Sequence, residues 1–526
     1  MAEKRTFWFR IGVASAIALI TLAIVVEVAV SRAGPILKGR IVETLNTQFQ
    51  SRVELDNLQV SVFRGLEIEG SGLRIYAPDN MTAASGGAPI LALAHFSFHS
   101  GIVGLLFKPM HVREVRATGL EIKIPPRDSA NQTTPPNRRS NGKIKIVVDA
   151  IICDDSRLIV GIGKPDKDPR DFELKHIVLR NVGPNKPWDY EAALTNAIPR
   201  GEIQAQGTFG PWQIESPGDS TVTGHYTFNN ADLSTIKGIG GILASVGDFK
   251  GKLDRIEING TSKTPDFRLD VANHPVPLET KFHVIVDGMT GDTYLQPIEA
   301  RLGGSQFTTS GSVINVKGKG HRIDLDLDVA DCRLADFLTL AVKTTPPVIT
   351  ASVTTKSKLN IQAGKGNIVE RLGLEGAFTL TNIHFSNADV QDKVDMLSQR
   401  ALGKPQDAKP GAAEVAARIQ GKFTLNGGVL QFGNLHYEMP GAEVNLAGDY
   451  SLDGQTFELH GRVLTRANIS QMVEARWKSF LLEPASLLFK RKGGGSSIPV
   501  AISGTSGKPK FGIELPWRHD DQKAEK

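Results

Sequence analysis

The sequence predicts a mainly β protein in which an N-terminal transmembrane helix precedes an elongated, rolled antiparallel β-sheet groove with a few short helices. Three observations predict this fold. Apolar and polar residues alternate with a period of two through most of the chain after residue 50, short turns containing Gly, Asn or Asp separate most of these stretches, and one charge-free apolar run, Ile11–Val26, lies near the N terminus. We therefore divide the chain into a tail and anchor (1–33), a groove domain (34–515) and a charged C-terminal tail (516–526).

The first element is the predicted membrane anchor at residues 8–30. The stretch from Phe7 to Val30 contains 24 residues, which is enough to cross a hydrocarbon core of about 30 Å. Lys4 and Arg5 precede it, so the positive-inside rule places the short tail in the cytoplasm. A cleaved signal peptide is the alternative, because "SRA" before Gly34 fits a small-residue cleavage site.

The pattern then changes from helix to strand. "GPILKGRIVETLNTQF" has apolar residues at helical spacing, and from "RVELDNLQVSVF" onward the period is two. The alternation of the following segments and the short turns between them are typical of consecutive antiparallel hairpins. Short helices are expected at "LADFLTLAV", "ADVQDKVDMLSQRALG" and "ISQMVEARWKSFLLEPASLLFK", and a weaker one at "LSTIKGIGGILASVG".

The stretch "HRIDLDLDVADCRLADF" offers either a calcium site or a strand. An EF-hand loop that began at Asp324, with Asp326 and Asp328 as further ligands, would need Gly at its sixth position and Glu at its twelfth, but Val329 and Ala335 stand there. We therefore interpret it as a strand whose three carboxylates face solvent. Its apolar face carries Ile323, Leu325, Leu327 and Val329.

No pattern in the sequence supports catalysis. The nucleophile, zinc and phosphate-loop motifs are missing, and Asp166, Asp168 and Asp171 in "PDKDPRD" are interpreted as a solvated turn. The net charge of +5 is small for 526 residues and predicts no nucleic-acid partner. Cys153 and Cys332 are expected to be buried, unpaired thiols. We predict no enzyme activity, cofactor or metal.

A long run of one-sided strands must bury its apolar face against something. In a rolled sheet that face lines a trough, which is unfavourable in water unless an apolar occupant such as an acyl chain fills it. The candidate lining residues are Leu325, Leu327, Phe423, Leu425, Val444 and Leu446.

The chain resembles the AsmA-like family of inner-membrane-anchored periplasmic proteins, which are related to TamB and to the bridge-like lipid-transfer proteins. The resemblance rests on the anchor followed by "RVELDNLQVSVFRGLEIEGSGLRIY", then "GTFGPWQIESPGDSTVTGHYTFNNADL", and near the end "MPGAEVNLAGDYSLDGQTFELHGRV" and "GSSIPVAISGTSGKPKFGIEL". The matching segments extend over nearly the whole chain. Each of them is a degenerate pattern of Gly and aliphatic residues.

The resemblance implies an inner-membrane protein with most of its chain in the periplasm and phospholipids as partners. It implies a role in lipid transport between the inner and outer membranes, or in outer-membrane homeostasis. The expected 25–30 strands stack to about 120–145 Å, so an outer-membrane or periplasmic protein partner is a further expectation. The alternative is a non-conducting periplasmic scaffold or assembly factor for outer-membrane biogenesis.

Overall fold

The structure is a curled, half-barrel-like sheet in which strands make up 68% of the described residues, with few short helices. It is a computed structural model that describes scattered positions between 35 and 46 and residues 51–61, 66–76, 88–100, 110–124, 146–160, 167–183, 186–211, 213, 216–411, 415–452, 456–472, 494–505 and 508–513. The predicted anchor at 8–30 and the tail at 516–526 lie outside the described residues. Within the described ranges, no helix has both the length and the hydropathy to cross a membrane.

The described residues form 25 strands in one sheet. They are β1 (Val53–Glu54), β2 (Asn57–Ser61), β3 (Leu66–Tyr76), β4 (Pro89–Ser100), β5 (Met110–Ile124), β6 (Ile146–Val160), β7 (Arg170–Val182), β8 (Trp188–Ala197), β9 (Arg200–Phe209), β10 (Thr221–Asp232), β11 (Ile239–Gly240), β12 (Ile242–Lys252), β13 (Arg255–Leu269), β14 (Val276–Val286), β15 (Thr293–Leu302), β16 (Ser305–Val316), β17 (Gly320–Arg333), β18 (Ile349–Ile361), β19 (Leu372–Phe385), β20 (Arg418–Asn426), β21 (Val429–Met439), β22 (Ala442–Ser451), β23 (Thr456–Thr465), β24 (Ser496–Thr505) and β25 (Lys508–Ile513).

In the part of the chain that the structure describes, three α-helices lie between strands: α1 (Leu334–Ala341), α2 (Ile368–Arg371) and α3 (Ala388–Ala401). Asn387 caps α3 through its side chain, which accepts a hydrogen bond from the Val390 amide. Helix α1 packs against β13, β14 and β18, and α3 packs beside β19 and β22. The predictions at "LADFLTLAV" and "ADVQDKVDMLSQRALG" are confirmed. The described positions between 35 and 46 are also helical, as predicted.

The predicted helix at "LSTIKGIGGILASVG" is wrong. Leu233–Thr235 forms a single 3-10 turn, and the chain then enters β11 and β12. The glycines of this stretch disfavour a helix, and β13 pairs with both the two-residue β11 and the longer β12. Of the long predicted helix, the described part is the 3-10 turn Ile469–Met472.

Successive strands pair almost entirely as antiparallel neighbours, as the turns predicted. The exception is β5 with β6, which pair in parallel from Met110 opposite Ile146 to Ile124 opposite Val160. A parallel pair needs a connection of a dozen or more residues to bring the chain back to the starting end. Residues 125–145 are long enough to make it. The prediction of consecutive hairpins is therefore wrong at this one junction.

Bulges near the strand ends keep apolar residues on one face. In β17 the register shifts between Val329 and Cys332, and Asp331 adopts a left-handed conformation with φ of 50°. Val329 and Cys332 are both buried, whereas Ala330 and Asp331 between them are exposed. A bulge inserts one extra residue and so reverses the alternation beyond it. Both cysteines are free and buried, as predicted.

Candidate functional site

One row of cross-strand neighbours runs the length of the sheet through Leu325. Residues paired directly opposite each other in neighbouring strands share a face of the sheet. The row crosses every strand except the short β1 and β11, and every member is apolar, aromatic, Gly or Pro. In order along the sheet it contains Val60, Ile68, Phe98, Val115, Ile151, Leu179, Tyr190, Gly207, Gly224, Phe249, Ile258, Val284, Leu295, Gly311, Leu325, Leu359, Leu374, Leu425, Leu430, Tyr450, Phe457, Gly504 and Pro509.

We call this set the apolar row. At about 4.8 Å per strand step it runs for roughly 100 Å along the sheet. The adjacent row on the opposite face is polar where it crosses β16 to β25. Its members are Ser310, Asp326, Lys358, Glu375, Thr424, Gln431, Asp449, Glu458, Ser503 and Lys510. From β16 to β25 the sheet thus has one apolar face and one water-compatible face.

Gly224 in the apolar row makes room for two aromatic rings. A Cβ atom at Gly224 would lie 2.6 Å from the Tyr190 hydroxyl oxygen and 2.8 Å from Phe249 Cζ, both far inside van der Waals contact. The rings of the neighbouring strands therefore lie over the glycine backbone. This arrangement keeps the apolar face continuous at Gly224, whereas Gly207 and Gly311 lie closest to the backbone of a neighbouring strand.

Four of the predicted lining residues lie on this face and are half-buried. Leu325 and Leu425 belong to the apolar row, where Leu359 and Leu374 join them. Leu327 and Phe423 belong to the next row on the same face, with Ser357 and Gly376 between them. These last four positions contribute to the wall of a hollow of about 700 Å³. Residues of the polar face, among them Asp326, Lys358 and Thr424, also line this hollow. The structure therefore places the four predicted residues at neighbouring positions on one face of the sheet.

Val444 and Leu446 are on the same face but in a closed core. They are 5% and 6% exposed and pack in a cluster that includes Ile419 and Val463. Val394 and Leu397 of α3 pack against this cluster. Helix α3 therefore covers the part of the groove that these two residues line.

The carboxylates of β17 lie on the polar face, as predicted. Asp326 and Asp328 are exposed and alternate with the inward-facing Leu327 and Val329. Asp328 pairs with Lys356 at 3.3 Å, and the Asp324 carboxylate accepts from Arg322 at 2.9 Å. Two of the three carboxylates thus have cationic partners, and Asp326 stands opposite Lys358 in β18.

Sequence reasoning missed a buried ion pair that joins distant strands. Lys167 Nζ lies 2.8 Å from both carboxylate oxygens of Asp292 and donates to the Asn315 carbonyl at 2.7 Å. The side chains of Lys167 and Asp292 are each 12% exposed. The Asn315 amide donates to Asp292 at 2.9 Å, and the Gly318 amide donates to the Asp168 carboxylate at 2.6 Å.

The prediction of a solvated turn at "PDKDPRD" is therefore wrong for Lys167. Asp168 accepts its hydrogen bond in an exposed position, and Asp171 lies on the polar face, paired with Arg157, whereas Asp166 lies outside the described residues. In a flat sheet, the seven strand steps from β7 to β15 would separate Lys167 from Asp292 by about 34 Å. The contact is possible because the sheet curls. No local pattern signals it, since the partners are 125 residues apart.

Replacing Asp292 with Ala is expected to lower the free energy of unfolding by about 3 kcal/mol, because it leaves the Lys167 ammonium buried without a counter-ion. Urea unfolding of the full chain in detergent measures this loss. Asp171→Ala, which removes an exposed ion pair with Arg157, is the control and is expected to cost less than about 1 kcal/mol. An equal effect of the two variants would contradict the role assigned to the buried pair.

Comparisons with known proteins identify no relative: no family model matches the chain, and neither a curated protein nor a solved structure is significantly similar to it. The resemblance to the AsmA-like family therefore stays a prediction from the sequence.

Proposed function

We propose that this protein holds the acyl chains of phospholipids along the apolar row and supports lipid transport between the inner and outer membranes. The observation that carries the proposal is the continuity of the row, which contains no charged side chain from Val60 to Pro509. An acyl chain gains about 0.8 kcal/mol for each CH₂ group that it buries against such a surface. A charged residue in the row would interrupt that gain.

The cellular setting belongs to the same proposal. An anchor at residues 8–30 would hold one end in the inner membrane, with the groove domain in the periplasm. The roughly 100 Å of the apolar row suits a path that a periplasmic or outer-membrane protein partner extends. The proposal includes no catalytic step, and the groove acts by shielding acyl chains from water.

Mass spectrometry of lipids that co-purify with the full chain tests the proposal. We expect phospholipid to be retained after extensive washing in detergent, in at least an equimolar amount. A membrane protein with an anchor of similar length and a compact soluble domain, purified in the same way, provides the background. Phospholipid at or below that background would contradict the proposal.

A non-conducting periplasmic scaffold for outer-membrane assembly is the second candidate. The packing of α3 over Val444 and Leu446 favours it, because a covered groove gives acyl chains no passage at that point. Under this function the apolar face would be a static core. Bound phospholipid would then be missing from the purified protein, and the same measurement separates the two candidates.

A further inference from the structure

An arginine lies on the apolar face of the sheet beside the buried ion pair. Arg170 begins β7 opposite Val160, and it alternates with outward-facing Asp171. Phe172 and Leu174 follow on the same inward face. Arg170 is thus the one cation among the inward-facing residues at the start of this strand.

The nearby carboxylate of Asp292 already accepts hydrogen bonds from other groups. Lys167 and the Asn315 amide satisfy Asp292, and the Asn315 side chain donates to the carbonyls of Asp168 and Thr290. Within the ranges that the structure describes, no carboxylate lies at ion-pair distance from the Arg170 guanidinium. The polar network is complete without Arg170.

The Arg170 guanidinium lies beside an aromatic ring and a glycine. Its central carbon lies 5.7 Å from the centre of the Phe172 ring, and one of its nitrogens lies where a side chain at Gly291 would stand. Burial lowers the pKa of Arg170. The pKa of His321 is lowered first by burial and then by the positive charge of Arg170. Lys167 and Arg170 are matched in number by the carboxylates of Asp168 and Asp292, but both carboxylates accept hydrogen bonds from other groups.

An unpaired, desolvated cation is costly to a fold, and a planar guanidinium binds phosphate through two parallel hydrogen bonds. We propose that Arg170 binds the phosphate group of a phospholipid whose acyl chains lie on the apolar row, and that it thereby selects lipids that carry a phosphate. The inference rests on the proposed function.

The distances along β17 fit this arrangement. His321, Ile323 and Leu325 follow one another on the inward face of the strand. His321 and Leu325 are four residues apart, or about 13 Å along the strand. A headgroup beside Arg170 and His321 would therefore leave its acyl chains within reach of the apolar row.

The test uses the full chain in detergent, loaded from mixed micelles with either dioleoylphosphatidylglycerol or dioleoylglycerol, which have the same acyl chains. We expect wild-type protein to retain the phosphate lipid preferentially. Arg170→Gln should lower that retention about tenfold, the loss typical of a charge-assisted hydrogen bond, and leave dioleoylglycerol unchanged. Arg170→Lys should restore part of the preference. Arg180→Gln, on the same strand but in an exposed ion pair with Glu191, should change neither.

The other outcomes test the proposed function and the phosphate site separately. Retention of neither lipid by the wild type would refute the proposed function itself. Equal retention of both lipids, or an equal loss of both in Arg170→Gln, would refute the phosphate site alone. Calorimetry with inorganic phosphate distinguishes the source of the anion: binding that is lost in Arg170→Gln and matches the lipid affinity would show a site for free phosphate and overturn the lipid assignment. Thermal unfolding of each variant establishes that it is folded.

Discussion

Leu446→Asp is expected to lower the free energy of unfolding by at least about 5 kcal/mol, which is enough to prevent stable folding. The change removes a side chain that is 6% exposed from the largest core cluster. Removing such a Leu side chain alone costs about 2–5 kcal/mol, and a buried carboxylate without a partner adds several more. Urea unfolding or near-ultraviolet circular dichroism measures the loss.

The neighbouring residue supplies a matched control. Ala447 is exposed on the opposite face of β22, so Ala447→Asp should stay within about 0.5 kcal/mol of the wild type. If Leu446→Asp were as stable as Ala447→Asp, then α3 would not seal this part of the groove. Leu446 would then be a lining residue open to solvent or lipid.

Leu425→Asp is expected to lower the phospholipid retained by the purified chain at least tenfold while the protein stays folded. Leu425 is only half-buried, and it stands between Leu374 and Leu430 in the apolar row. Water can reach a carboxylate there in the empty groove. An acyl chain lying over it would desolvate the charge at a cost of several kcal/mol.

The control for this prediction is Thr424→Asp, one residue away. Thr424 is exposed and belongs to the polar row on the opposite face, so an added carboxylate there should alter neither lipid content nor stability. Lipid content is measured by mass spectrometry and folding by circular dichroism. Equal lipid content in wild type and Leu425→Asp would exclude the apolar row as the lipid path.

Local periodicity determined much of this architecture. Alternation along β17 places Leu325 and Leu327 on one face and Asp326 and Asp328 on the other, and the structure agrees. The same is true of Phe423 and Leu425 about Thr424 in β20. A strand turns successive side chains to opposite faces whatever its partners are, so the face of each residue can be predicted from its own segment.

Local periodicity fails where a bulge intervenes. Strict alternation beyond Val329 would turn Asp331 inward and Cys332 outward, whereas the structure buries Cys332 and exposes Asp331. The extra residue is accommodated because Asp tolerates the left-handed conformation, and the Asp331 amide donates to the Thr354 hydroxyl of β18 at 3.1 Å. The neighbouring strand therefore helps to decide which face these residues occupy.

The sequence by itself thus determined a mainly β chain with one apolar face, and it identified Leu325, Leu327, Phe423 and Leu425 as members of that face. Only the tertiary structure decided that Val444 and Leu446 lie under α3, that β5 and β6 run parallel, and that Lys167 meets Asp292. The physical reason is the separation along the sequence of the residues that each feature depends on. Alternation is a property of a few adjacent residues, whereas curling of the sheet and pairing of buried charges depend on groups more than a hundred positions apart.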